Sequence, residues 1–488
     1  MPSSQLRMVI CLLAMWGLPL QVQAEAFAVE VAQRQLFLDY LGIYEITRLR
    51  RTMHQPDKRG AVLRSSSPKH TFQIRSAPKW DPQEKVFKIW VGWTDHRYFT
   101  SPDGLNWSAG PRPDINLAHV AIDLKDPDPA RRYKTAMGSH GFAVSPDGIH
   151  WTKLDLPGIP SQDESNFSHN PEAGLFIHTV KRSGPYGRAV AVATSTDFEN
   201  WTDYGLIFHA DKLDQELGRK RIAARLRNPN LKQTEYDTPE RYSVQVYNMG
   251  VFLYEGLFIG MPSMFHTTGV LPPGWPGFEK MNLSPGMREA VRNHGDWTGF
   301  YNVELACSRD LKNWLRLGDR KPFIEASPVG GGAYDLQCII GPSEPVVRGD
   351  ELWFYYTGIK QYALTTSGDQ PGYDDYVPDA GAACLAVLRR DGFISLDADE
   401  PEGVVVTRSF RLPAGKLLVN VACGKSGELR AEVRGSDDKV LARSGPVTGD
   451  QVRGQLDWQE GDLAALTGQS VQLRFSLRNA SFYSYWFE

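Results

Sequence analysis

Cysteine is scarce in this 488-residue chain: there are five, and one of them, Cys11, lies inside an N-terminal apolar run. The other four, Cys307, Cys338, Cys384 and Cys423, have no CxxC spacing, which gives no zinc site and no metal to expect. Strand-like contexts such as "VELACS" fit buried thiols at least as well as a disulfide. A charge excess is missing too. Lys and Arg number 54 against 57 Asp and Glu, so neither a basic stripe for nucleic acid nor an acidic tail is present. Beyond the N-terminus no apolar run reaches the roughly eighteen residues that a spanning helix needs, so no membrane insertion is expected. No cofactor is called for.

Aromatic residues and turn formers are plentiful. Aromatics make up 11% of the chain, with 13 Trp, and there are 32 Pro. That mixture favours an all-β protein with many turns. The first 24 residues read as a signal peptide: Arg7 supplies the charge, "MVICLLAMWGLPL" the apolar core, and Val22-Gln23-Ala24 the small-residue cleavage site. The expected location is secreted or periplasmic.

One short pattern recurs. "SPDGLNW" (101–107) returns as "SPDGIHW" (145–151), "STDFENW" (195–201) and "SRDLKNW" (308–314). Each copy follows a strand-like stretch. Its Asp is suited to accepting backbone N–H bonds in a tight turn, and its Trp to packing over that turn. "LRRDGFISL" (388–396) is a degenerate fifth copy that keeps Asp391 and Gly392. Ahead of each copy lies a hairpin with an aromatic-rich second strand, as in "WDPQEKVFKIWVGW" (80–93) and "RGDELWFYYTG" (348–358). Trp107 to Trp151 spans 44 residues and Trp151 to Trp201 spans 50, the length of a four-stranded propeller blade. The longer interval to Trp314 holds a charged run at 211–241 and a Pro/Gly-rich stretch at 270–299.

The expected architecture is all-β: a five-bladed β-propeller over 65–400, after a lead-in segment at 25–64. Residues 401–488 alternate apolar and polar positions between Gly and Asp turns, as a small C-terminal β-sandwich does.

A propeller of this kind followed by a sandwich resembles the glycoside hydrolase families 32, 43, 62, 68, 117 and 130. It is most similar to bacterial proteins with a family 32-type N-terminal domain that begin, as here at 35–39, with "QLFLD". The chain has no "NDPNG" segment and no clean "RDP" or "EC" pair. The turn pattern is also similar to the Asp-box of sialidases, one residue shorter. The resemblance implies a carbohydrate substrate and glycosidic bond cleavage by paired carboxylates; the alternatives are a non-catalytic carbohydrate-binding propeller and, as a minor reading, a sialidase-like enzyme.

In a propeller the first strand of each blade lines the channel, with its N-terminal end at the ligand-binding mouth. Counting back from each hairpin turn brings Arg75, His119, Asp163, Tyr247 or Asn248, and the region of Glu344 toward that mouth. Asp335 and Gln337 come from the preceding loop of the fifth blade. Asp163, Asp335 and Glu344 are the candidate catalytic acids, since glycoside hydrolysis needs paired carboxyl groups. Arg75, His119, Asn166, Arg182, Arg188, Tyr247 and Gln337 are candidates for contacting sugar hydroxyls and faces.

Overall fold

The recurring turn forms the same hydrogen-bonded knot four times. The computed structural model describes residues 27–64, 72–92, 97–117, 119–277, 289, 292–293, 295–361 and 379–488, so the 1–24 segment lies outside them. In the first copy Asp103 Oδ1 accepts from the amides of Leu105 and Asn106, each at 2.8 Å, and Ser101 Oγ accepts from Gly104 N. Asp147, Asp197 and Asp310 repeat the arrangement. The residue after each Asp has a positive φ: Gly104 and Gly148, then Phe198 and Leu311.

The Trp that closes each motif does more than cover its own turn. It packs on the preceding blade. Trp201 stacks on Phe142 at 4.7 Å, Trp314 meets Phe208 edge-on at 6.2 Å, and Trp107 meets Tyr355 at 6.3 Å. Hydrogen bonds add to this cement: Tyr355 Oη donates to Gly104 O and Trp90 Nε1 to Gly148 O, both at 2.8 Å. The turn motif is therefore a joint between blades.

Five antiparallel sheets follow in order. Their first strands are Lys79–Asp81, Ala121–Ile122, Ser165–Asn170, Ser243–Tyr254 and Cys338–Ile340. The fifth blade takes its outermost strand from the other end of the chain: Asp57–Arg64 pairs antiparallel with Gly381–Arg389, from Asp57↔Val387 to Arg64↔Ala382. The segment read as a lead-in thus supplies the strand that closes the ring. Its earlier strands, Gln35–Leu36, Ile43–Thr47 and Arg50–Met53, enter the C-terminal sheet. That sheet has eleven strands and is built around the long pair Leu417–Arg434 and Ser470–Phe487. A single apolar cluster runs from Ile259, Phe323 and Phe354 of the last two blades to Val421, Leu429 and Phe475 of this sheet.

The degenerate fifth copy is not a turn knot. Asp391 is buried at the junction of the propeller and the C-terminal sheet, where it binds Arg34, Tyr254 and Ser484, each at 2.6 Å. The charged run at 211–241 carries the one long helix among the described residues, α1 (Lys212–Leu226), capped by Asp211. It is fixed to the fourth blade by Arg316 and Arg320 on Asp214, while Arg221 and Arg316 pair with the buried Glu304. The four cysteines among the described residues are free thiols. No described helix is long and apolar enough to cross a membrane.

Asp391 and the turn aspartates differ in what their loss leaves behind. Asp391→Ala strands the buried Arg34, so urea unfolding is expected to register a loss of about 3–5 kcal/mol. Asp147→Ala breaks only local turn bonds, and the expected loss is about 1–2 kcal/mol. Equal losses would contradict the distinction.

Candidate active site at the propeller mouth

Strand alternation decides which acid of the third blade enters the channel. Successive side chains on a strand point to opposite faces. Asn166 and Ser168 face neighbouring inner strands: Asn166 Nδ2 donates to Arg75 O at 3.3 Å and to Ser343 Oγ at 3.1 Å, and Ser168 Oγ donates to Val251 O. Glu164 shares their parity and lies at the channel. Its carboxylate takes two bonds from the buried Arg75, from Nε at 2.6 Å and from Nη2 at 2.7 Å. Tyr247 Oη adds a third at 3.0 Å. A register shift between Val246 and Asn248 leaves Tyr247 out of the ladder, and such a bulge re-aims the side chain it carries.

Burial by itself would push the Glu164 carboxyl up. The charge and hydrogen bonds of Arg75, with Lys181 and Tyr247, outweigh it and hold the group at about 2. Lys181 is the cation that completes the cluster. Its ammonium lies 3.6 Å from the centre of the Tyr247 ring and pairs with Asp163 at 2.7 Å. Asp163 stands at the solvent side of this arc, with its side chain 66% exposed. His119 contacts Ser165 O through Nε2, and burial brings it down to about 4, so its imidazole is neutral near pH 7.

The arc continues onto the fourth blade. Arg188 Nη1 donates to Gln245 Oε1 at 3.0 Å, and its guanidinium lies 5.6 Å from both Phe265 and Trp297. Beside it stands Asp296, whose carboxyl is pushed up to about 6 by burial, against the Trp297 amide bond and Arg188. Blades four and five pack closely here: a Cβ on Gly250 would fall 1.8 Å from Pro342 O.

The other candidates lie elsewhere. Asp335 does not face Asp163. It is buried against Tyr356 at 2.9 Å and Lys58 at 2.7 Å, where it grips the ring-closing strand. Glu344 pairs with Lys79. It lines cavities at the C-terminal ends of the inner strands with His169 and Leu253, the end of the channel away from Glu164. Arg182 is committed to Asp203 on the outer edge of blade three. Gln337 lies between blades four and five, on Glu235 at 2.8 Å and Gly299 O at 2.9 Å. The counting therefore collects Arg75, His119, Asn166, Tyr247, Arg188 and the rim acid Asp163, and separates Asp335, Glu344, Arg182 and Gln337 from them. It passes over Glu164, Lys181 and Asp296. Glu164 had a signal in the sequence, since it shares parity with Asn166. Asp296 had none, because it follows a long insertion.

No group of three His, Cys, Asp or Glu side chains among the described residues is placed to hold a metal ion. No family profile matches the chain, and no curated protein matches it. Solved structures similar to it include carbohydrate-active enzymes. One, called glycoside hydrolase, is 12% identical over 69% of this chain and 92% of its own, with a TM-score of 0.37. An endo-arabinase from Bacteroides thetaiotaomicron is 10% identical over 67% and 96%, with a TM-score of 0.34. An N-acetylgalactosamine deacetylase from F. plautii is 12% identical over 71% and 97%, with a TM-score of 0.38.

The depressed Glu164 carboxyl makes a stability statement. Its folded value, about 2, lies below the unfolded value of about 4.3, so its contribution is complete above that unfolded value and is lost as pH falls toward 2. Denaturation midpoints measured from pH 6 to pH 2 are expected to fall more steeply for the natural protein than for Glu164→Gln. Parallel curves would contradict the assignment.

Proposed function

We propose that the mouth binds a sugar and hydrolyses its glycosidic bond, with Asp296 as the general acid and the Asp163–Glu164 pair on the basic side. The observation that carries this reading is one charged arc whose carboxyl groups are driven apart in proton affinity: Glu164 at about 2 and Asp296 at about 6. An ionised carboxylate and a protonated acid in one site are what glycoside cleavage requires. In this reading Asp296 gives its proton to the leaving oxygen. Exposed Asp163 takes one from the attacking water, and Arg75 with Lys181 holds Glu164 ionised. Trp297 offers a face for a sugar ring, and Arg188 and His119 offer polar contacts.

A second reading has its own support. Both oxygens of Glu164 are already engaged by Arg75 and Tyr247, an arrangement that suits a rigid sugar-binding wall without turnover. We also propose export, on the strength of the charged, apolar and small-residue pattern at 1–24; a mature protein beginning at Glu25 in N-terminal sequencing is the expected result.

A panel of polysaccharides and aryl glycosides with reducing-end detection separates the readings. Turnover is expected, and glycan binding without turnover on any substrate would favour the binding module. Asp296→Asn is expected to lower kcat by about 10²–10⁴-fold with folding intact. Because a general acid works only while protonated, kcat/KM is expected to fall as pH rises through about 6. An alkaline limb unchanged in Asp296→Asn would remove Asp296 from the reaction.

A further inference from the structure

The insertion at 211–241 builds a cavity of its own. Arg225, in the last turn of α1, is 3% exposed. Its Nε donates to Lys232 O at 3.0 Å and its Nη2 to Leu336 O at 2.7 Å, while its flat face lies 4.4 Å from the centre of Phe300. No carboxylate among the described residues pairs with it, and its Nη1 has no protein acceptor there. Glu235 and Glu325 act on it only through space, and burial shifts Glu235 toward its neutral form. A buried cation without a counter-ion is costly, and burial pulls Arg225 down to about 10.

This guanidinium borders a cavity of about 210 Å³ together with Arg221, Ala224, Asn302 and Glu325. Arg221 is already engaged by Glu304 and by Arg320 O. Asn302 is 4% exposed, and its Oδ1 has no hydrogen-bond partner. A guanidinium donor without its anion thus borders this space, and Asn302 lines it. A buried cation left without a carboxylate beside a cavity marks an anion position.

We propose that this cavity binds an acidic sugar unit, a uronate, with its carboxylate on Arg225 Nη1 and its ring beside Asn302. The anion is argued from Arg225 itself. The choice of a sugar as its carrier rests on the function proposed for the mouth. The site lies outside the channel, between α1 and the third strand of blade four, and would hold a charged unit of a glycan while the mouth works on another.

Calorimetric titration of the full chain with glucuronate, glucose, lactate and sulfate tests this. Glucuronate is expected to bind at least tenfold more tightly than glucose or lactate. Ala224→Phe, which fills the cavity from the exposed helix face without touching the Arg225 bonds, is expected to weaken it at least tenfold, as is Arg225→Met. Tyr247→Phe at the mouth is expected to leave it unchanged. Glucuronate no tighter than glucose, or binding that survives Ala224→Phe, would overturn the site. Equal binding of lactate would overturn the uronate, and binding of sulfate alone would mark an adventitious ion only. Should Arg225→Met fail to fold, Ala224→Phe still decides. A mouth without turnover would leave these binding results intact, so the two readings fail separately.

Discussion

Every blade of this protein depends on one pairing across the chain, the strand Asp57–Arg64 against Gly381–Arg389. A fifth blade without it would present an open edge of unpaired backbone groups, which closed β-architectures exist to avoid. The buried Asp335 reinforces the pairing through Lys58, and Tyr356 donates to the same carboxylate. Closure is also what points five inner strands at one axis. The convergence of Arg75, Glu164 and Tyr247, from blades one, three and four, follows from it.

Buried charge is handled in four ways, and each marks a different task. Glu164 and Arg75 form a bidentate pair that fixes the carboxylate's direction at the candidate site. Asp391 and Arg34 bind the propeller to the C-terminal sheet. Glu304 and Asp214, with three arginines, hold α1 on the fourth blade. Arg225 is left without a carboxylate partner among the described residues, in the element those arginines anchor. A buried pair adds little stability of its own, while losing one partner is expensive. Such pairs therefore fix geometry more than they strengthen the fold.

Much of the fold was legible in the residues because its signals are local. The Ser-x-Asp turn is written within seven positions, and aromatic-rich hairpins precede it at regular intervals, so the blade count could be read without any long-range knowledge. The candidate site was legible to within one residue on blade three. Asp163 and Glu164 are adjacent acids, and only the parity set by Asn166 and Ser168 tells which one enters the channel. The structure sets Asp335 and Glu344 apart from Asp163 for a physical reason: an acid after a Gly-rich loop or near a strand start looks the same in sequence whether it faces a channel or a lysine.

The sequence by itself determined the all-β class, the number of blades and the turn chemistry, since these follow from period-two alternation and from Asp side chains bonding to amides two and three residues on. Only the tertiary structure decided that a segment before residue 65 closes the ring and that Asp391 is a junction and not a turn. It alone brought Lys181 beside Tyr247, and Arg188 beside Trp297 and Asp296. These are contacts between residues far apart in the chain or on different strands, and the free energy that selects them comes from burial and charge pairing that exist only once the ring is closed.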